Sequence, residues 1–141
     1  MKTLFVESSA ILAWLFHEPE GERVAEHLER AETVTASALV RLEVERTIVR
    51  QVALRKRTEA DAGRMRGTLA REMARWNVLD LSDEVLARAA RSFPSEPLRA
   101  LDAIHLATAL ELVPAFPELG VLSLDRRVTA NVRALGLDLA E

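Results

Sequence analysis

The 141-residue sequence contains no cysteine, and its cations are almost all arginine, because Lys2 and Lys56 are the only lysines. Without cysteine, disulfide frameworks, thiolate zinc sites and cysteine nucleophiles are excluded. Arginine offers planar, bidentate contacts to carboxylates and phosphates. A genome rich in arginine codons produces the same bias, and we favour that explanation.

The sequence also lacks an excess of positive charge and any glycine-rich phosphate loop. Lys and Arg number 19 against 22 Asp and Glu, a net charge of −3. This excludes a polycation that binds nucleic acid by bulk charge, so such binding requires a local basic patch. Neither GxGxxG nor GxxxxGK[ST] occurs, which argues against a Rossmann-like dinucleotide binder and a P-loop protein.

No apolar run approaches the roughly 20 residues of a membrane span. The apolar N-terminal run is not predicted to be a signal peptide, because Glu7, Ser8 and Ser9 interrupt it and no small-residue cleavage site follows. We therefore expect a cytoplasmic protein with no membrane association.

Short apolar runs that favour strands alternate with segments of helical periodicity. The strands are predicted at residues 3–6, 33–35, 78–79 and 120–124. Ser8 and Ser9 are expected to cap a first helix, while Pro19 and Pro97 each suit the first turn of a later one. The pattern predicts an α/β fold in one domain, residues 1–141, with a parallel sheet of about four to five short strands and helices on both faces.

Two acids follow predicted strands, and two lie in predicted helices. Glu7 and Asp125 come directly after strands, and ligands of open α/β sheets bind beyond the carboxyl ends of the strands. Asp102 lies in a first helical turn, and Glu43 in the middle of a long helix. Taken singly, Asp125 is more simply a helix N-cap and Asp102 a charge favoured at a helix start.

Two further residues have simple alternatives. Glu43 could pair with Arg46 or Arg50 further along its helix. His105 lies one turn after Asp102, a spacing that suggests metal ligation. We favour a helix histidine that is hydrogen-bonded near the core.

Four blocks in order carry a resemblance that covers the whole chain, and the third is the most specific. The blocks are FVESSAIL at 5–12, TASALVRLE at 35–43, LRALDAIHLA at 98–107, and VLSLD at 121–125 followed by LGL at 135–137. With these blocks the sequence resembles a PIN domain, in particular a VapC-like toxin ribonuclease of a toxin–antitoxin pair.

The resemblance implies that Glu7, Glu43, Asp102 and Asp125 converge on a divalent-metal site and carry out catalysis. Two carboxylates about 4 Å apart repel by roughly 4 kcal/mol at an effective dielectric of 20, so such a cluster needs cations. Oxygen ligands suit Mg²⁺ or Mn²⁺, which activate water for phosphodiester hydrolysis. The resemblance also implies an RNA substrate, a cognate antitoxin protein and a homodimer.

One departure from the family pattern falls on the first acid. The family usually has aspartate where this chain has Glu7. We expect Glu7 still to bind metal, with Ser9 and Ser123 orienting ligands or water around it. The alternative is a catalytically weak or inactive module that acts through its antitoxin complex. Arginines flank the acidic blocks and could meet phosphates: Arg41, Arg46, Arg50, Arg99, Arg126 and Arg127.

Overall fold

A computed structural model describes residues 2–141 and places five strands in one parallel sheet between helices. The first half of the chain contains β1 (Thr3–Val6), α1 (Ser8–Leu15), α2 (Gly21–Arg30), β2 (Thr33–Ser37), α3 (Leu39–Ala53) and α4 (Glu59–Met73). The second half contains β3 (Asn77–Leu79), α5 (Asp83–Ala89), α6 (Ala100–Leu112), β4 (Gly120–Leu122), α7 (Arg126–Ala134) and β5 (Asp138–Leu139).

The sheet has the strand order β3-β2-β1-β4-β5, and every neighbouring pair is parallel. The first strand of the chain is therefore the central one. It pairs with β2 through Leu4↔Val34 and with β4 through Val6↔Leu122. All four β1 side chains are buried, as expected for a parallel strand covered on both faces.

Alternation along β1 divides the core between the two faces of the sheet. Leu4 and Val6 pack on one side with apolar residues of α1, α2, α3 and α4. Phe5 packs on the other side with apolar residues of α5, α6 and α7. The predicted α/β class, the parallel sheet and the helices on both faces are confirmed.

Three predicted helix starts are wrong by a few residues. Ser8 and Ser9 lie inside α1, and Glu7 is the extended residue before it, because the two serine hydroxyls bond elsewhere. Pro19 lies in a turn before α2, since the Gly21 N–H donates to the Glu18 carbonyl at 2.9 Å. Pro97 precedes α6, which begins only after Arg99 because the backbone of Arg99 is still extended.

Three other helix ends are set by residues close to them in sequence. The capping box at Thr58 and Asp61 forms in both directions, and the Ser82 hydroxyl accepts from Val85 N–H at 3.1 Å. Gly136 ends α7 with φ +74°, a conformation that favours glycine. Within residues 2–141, no helix is both long and apolar enough to cross a membrane.

Candidate active site

The carboxyl ends of β1 and β4 lie side by side and carry two of the predicted acids. The Glu7 N–H donates to the Leu122 carbonyl at 3.0 Å, which continues the β1–β4 pairing one residue further. Asp125 follows three residues after Leu122 and is the N-cap of α7. The topology therefore brings Glu7 and Asp125 to one edge of the sheet, although 118 positions separate them (125 − 7).

Glu7 is buried behind two serine hydroxyls. Its Oε2 accepts from Ser123 Oγ at 2.7 Å and also from Ser9 Oγ, while the two hydroxyl oxygens lie 3.3 Å apart. Burial raises the pKa of Glu7, although attraction to His105 and the two serine hydrogen bonds oppose the rise. Burial therefore disfavours the ionised form of Glu7, and a cation bound nearby would favour it.

The same serines fix the loop after β4. Ser9 Oγ accepts from the Leu124 N–H at 2.9 Å, and Ser123 Oγ accepts from the Asp125 N–H at 3.1 Å. Each hydroxyl thus joins Glu7 to the backbone that leads to Asp125. The geometry agrees with the predicted role of Ser9 and Ser123 as residues that orient an acid.

Asp102 and Asp125 share one arginine. Arg99 Nε lies 3.4 Å from Asp102 Oδ2, and a terminal nitrogen of Arg99 lies 3.9 Å from Asp125 Oδ2. Burial and the charge of Asp125 raise the pKa of Asp102, and Arg99 only partly offsets this. The two carboxylates therefore face the same arginine, and their mutual repulsion disfavours the ionised form of Asp102.

Asp125 also caps α7, as the simpler interpretation of its position predicts. Its Oδ1 accepts from the Arg127 N–H at 2.8 Å and from the Val128 N–H at 3.2 Å. The other oxygen, Oδ2, is the one that faces Arg99. Capping therefore holds the carboxylate in place and leaves one oxygen for the site.

Glu43 reaches the site from α3 and contacts α6 and α1. Its Oε1 accepts from Ser8 Oγ at 2.7 Å and contacts His105 Nε2. Ser8 Oγ lies 3.1 Å from the same nitrogen. Burial alone would raise the pKa of Glu43, but the hydrogen bonds and attraction from His105 outweigh it, and the pKa is lowered. Its partners are thus not the arginines of its own helix.

His105 is fully buried, and its Nε2 hydrogen bonds confirm the favoured interpretation of a histidine near the core. Sequence reasoning missed that its partner is Glu43, and that Ser8 joins them. It also missed that Arg99 lies between Asp102 and Asp125. The only signal for these contacts was proximity to the acidic blocks in sequence, which does not specify partners across the fold.

The oxygen donors fit a hard divalent cation held by few protein ligands. Across residues 2–141, no three acidic or histidine side chains approach closely enough to enclose a metal ion. Mg²⁺ is usually bound by only one or two carboxylates, with water and substrate phosphates completing its shell. The closely placed Asp102 and Asp125, short of positive charge, have that chemistry. Convergence of all four acids on one ion stays a prediction.

The sequence of this chain is similar to those of known proteins. The family model described as PIN domain matches residues 4–132, so the full extent 1–141 of the domain stays a prediction. Ribonuclease VapC46 of Mycobacterium tuberculosis is 34% identical over 79% of this chain and 78% of its own. Ribonuclease VapC35 of the same species is 29% identical over 95% of this chain and 93% of its own.

Solved structures share the fold at lower identity. FitAB bound to the IR36 DNA fragment matches with a TM-score of 0.68 and 20% identity, over 97% of this chain and 93% of that one. VapBC2 from Rickettsia felis, bound to a fragment of promoter DNA, matches with a TM-score of 0.65 and 10% identity, over 98% and 97%. The family match over most of the chain and the 34% identical relative establish that this chain belongs to the PIN domain family.

Proposed function

We propose that the chain is a metal-dependent endoribonuclease and the toxin of a type II toxin–antitoxin pair. The observation that carries this proposal is the Asp102–Asp125 pair, with Glu7 and Glu43 at the same edge of the sheet. Its relatives named Ribonuclease VapC46 and VapC35 support RNA as the substrate.

Asp102 and Asp125 are the residues that would hold Mg²⁺ or Mn²⁺ most directly, with Glu7 and Glu43 completing the acidic environment. A bound divalent ion supplies electrostatic stabilisation of the phosphate and lowers the pKa of a water, so that the water can attack. The chain contributes carboxylates fixed by hydrogen bonds, which limits the reorganisation that the reaction requires. Ser9 and Ser123 keep Glu7 in one orientation.

Substrate binding is assigned to the exposed arginines around this edge. Arg126 and Arg127 begin α7 directly after Asp125, and both are exposed. Arg99 is 70% exposed in its side chain, so it can leave the carboxylates and meet a phosphate at small cost. Such contacts would position RNA without reading its sequence.

The protein partners are part of the same proposal. FitAB and VapBC2, which share this fold, are structures bound to DNA. We propose that this chain acts in the cytoplasm as a homodimer with a cognate antitoxin, as its resemblance to VapC-like toxins implies. A module that acts only through that complex is the second candidate. Glu7 favours this second candidate, because it is longer than the family's aspartate and its carboxylate already accepts hydrogen bonds from Ser9 and Ser123.

Cleavage of a mixed RNA pool tests the proposal. Purified protein, free of antitoxin, should cut RNA with Mg²⁺ or Mn²⁺ and stop when EDTA is added. Asp102→Asn should be inactive, whereas Asp138→Asn, the same change at the exposed start of β5, should cut at the wild-type rate. Equal activity in the Asp102→Asn protein would indicate a contaminating nuclease or a different site. Absence of cleavage by the wild type with both metals would favour the second candidate.

A further inference from the structure

His105 makes an unusual combination of contacts for a buried residue. It is 0% exposed, and its Nε2 contacts Glu43 Oε1 and lies 3.1 Å from Ser8 Oγ. Its other ring nitrogen, Nδ1, is buried without a hydrogen-bond partner. A buried polar atom left unpaired lowers stability, whichever way its lone pair or hydrogen is arranged.

Packing alone does not explain a histidine at this position. An apolar ring would fill the same space on α6 and would leave no unpaired nitrogen. The polar contact that distinguishes histidine from such a ring is the one through Nε2. That nitrogen meets Glu43, an acid from a different helix 62 positions away.

We propose that His105 is a positioning residue that, together with Ser8, holds the Glu43 carboxylate in its working orientation. This inference rests on the proposed nuclease function, because it assigns Glu43 a role in that reaction. His105 lies one turn after Asp102 on α6, and Ser8 directly follows Glu7. Glu43 is thereby fixed relative to the elements that carry two other acids of the site.

The side chain of Glu43 needs this support because of where it lies. It projects from the second turn of α3, not from the middle of the helix as expected, and is 22% exposed, whereas the His105 side chain is 1% exposed. A glutamate without these partners samples several rotamers, and productive sites tolerate misplacements of only about 0.5 Å. Removing residues that orient a metal-site ligand typically costs about 10–100-fold in activity or metal affinity.

Three variants separate this role from packing. His105→Phe removes the hydrogen bond and keeps a ring, so kcat should fall about 10–100-fold with an unchanged KM for RNA. Its melting temperature should change little, since removal of the unpaired nitrogen offsets the lost hydrogen bond to Glu43. His105→Gln, which retains an N–H donor, should recover part of kcat. In a Glu43→Gln background, His105→Phe should lower kcat no further.

The same proteins give a readout independent of cleavage, namely Mn²⁺ affinity by calorimetry. His105→Phe should weaken Mn²⁺ binding in the Glu43 protein and leave it unchanged in the Glu43→Gln protein. Equal losses in both backgrounds, or no loss in either, would overturn the positioning role.

The metal measurement also distinguishes the two proposals. A wild type that binds Mn²⁺ without cutting RNA refutes the nuclease function, while weaker binding by His105→Phe would still support positioning. A wild type that neither cuts nor binds Mn²⁺ overturns both.

Discussion

Replacing Glu7 by glutamine removes the charge of its side chain and keeps the length, whereas aspartate keeps the charge and removes one methylene. In the glutamine variant, the amide oxygen can still accept from Ser9 and Ser123. Because burial raises the pKa of Glu7, the folded state disfavours the ionised form. Metal-free Glu7→Gln should therefore be as stable as the wild type or more so.

The aspartate variant should lose stability for a structural reason. Its carboxylate withdraws by roughly one bond length, about 1.5 Å, from a Ser123 hydroxyl that now lies at 2.7 Å. A hydrogen bond to a charged group contributes about 1.5–3 kcal/mol, and a buried methylene about 0.8 kcal/mol. Both serine hydroxyls then lose their carboxylate acceptor, but Ser9 and Ser123 can hydrogen-bond to each other instead. The net loss is therefore one hydrogen bond. The expected cost is about 2–4 kcal/mol, or a fall in melting temperature of roughly 5–15 °C.

The two variants should rank in the opposite order for cleavage activity, with Glu7→Asp more active than Glu7→Gln. Glu7→Gln should lose at least about 100-fold in metal-dependent cleavage, the upper end for residues that merely orient a ligand. Glu7→Asp should keep or improve the rate below its melting temperature, because it restores the family's usual acid. The assay is the cleavage rate of one labelled RNA, with thermal melts of the metal-free proteins alongside.

The difference in stability between Glu7→Gln and the wild type should depend on pH. A raised folded-state pKa means that Glu7 favours folding most when protonated, and that this advantage is lost as pH rises through the raised value. The stability of Glu7→Gln relative to the wild type should therefore grow with pH across that range. Wild-type cleavage by Glu7→Gln, beside an inactive Asp102→Asn control, would remove Glu7 from the site. Lower stability of Glu7→Gln at neutral pH would refute the buried-charge reasoning.

Further outcomes follow from the same contacts. Asp102→Asn should abolish cleavage with an unchanged circular dichroism spectrum and an equal or higher melting temperature, because burial and the charge of Asp125 raise the pKa of Asp102. Metal-free wild type should gain about 2.7 kcal/mol at a hundredfold excess of Mg²⁺ or Mn²⁺ over Kd, and a flat melting temperature through a millimolar titration would contradict this. Gly21→Ala should cost about 1–3 kcal/mol, since its Cβ would lie 2.6 Å from the Ala13 carbonyl oxygen. Gly63→Ala, whose Cβ meets nothing within 4 Å, is the matched control and should be neutral or stabilising in denaturant melts.

The parts of the fold that depend on local pattern could be predicted from sequence. The apolar run at Thr3–Val6 and the capping box at Thr58 act through neighbours a few residues away, so their signals are visible in a single chain. The strand Asp138–Leu139 was not predicted, because its two residues are too few to show periodicity. It exists through parallel pairing with β4, a tertiary contact.

In the candidate site, too, some features could be predicted from sequence and others could not. The acids themselves stand out because each lies at a strand end, at a helix start or in a block that resembles the family. Their partners do not, since the Ser123–Glu7 bond spans 116 positions and depends on how β1 and β4 pair. Ser8 was expected to cap a helix, whereas its hydroxyl is used by Glu43 on another helix. Side-chain partners across elements require the packed structure.

Because β1 is the central strand, the sheet cannot be completed until strands from much later in the sequence have been synthesised. Strand β1 is made before the other four strands of this sheet and becomes its middle, and one of its two neighbours, β4, begins only at Gly120. Ser123 closes over Glu7 after that pairing, and Asp125 is the last of the four acids to be synthesised. A chain synthesised only as far as β3 therefore lacks both Asp102 and Asp125, so the pair of aspartates can form only after α6 and β4 have been made.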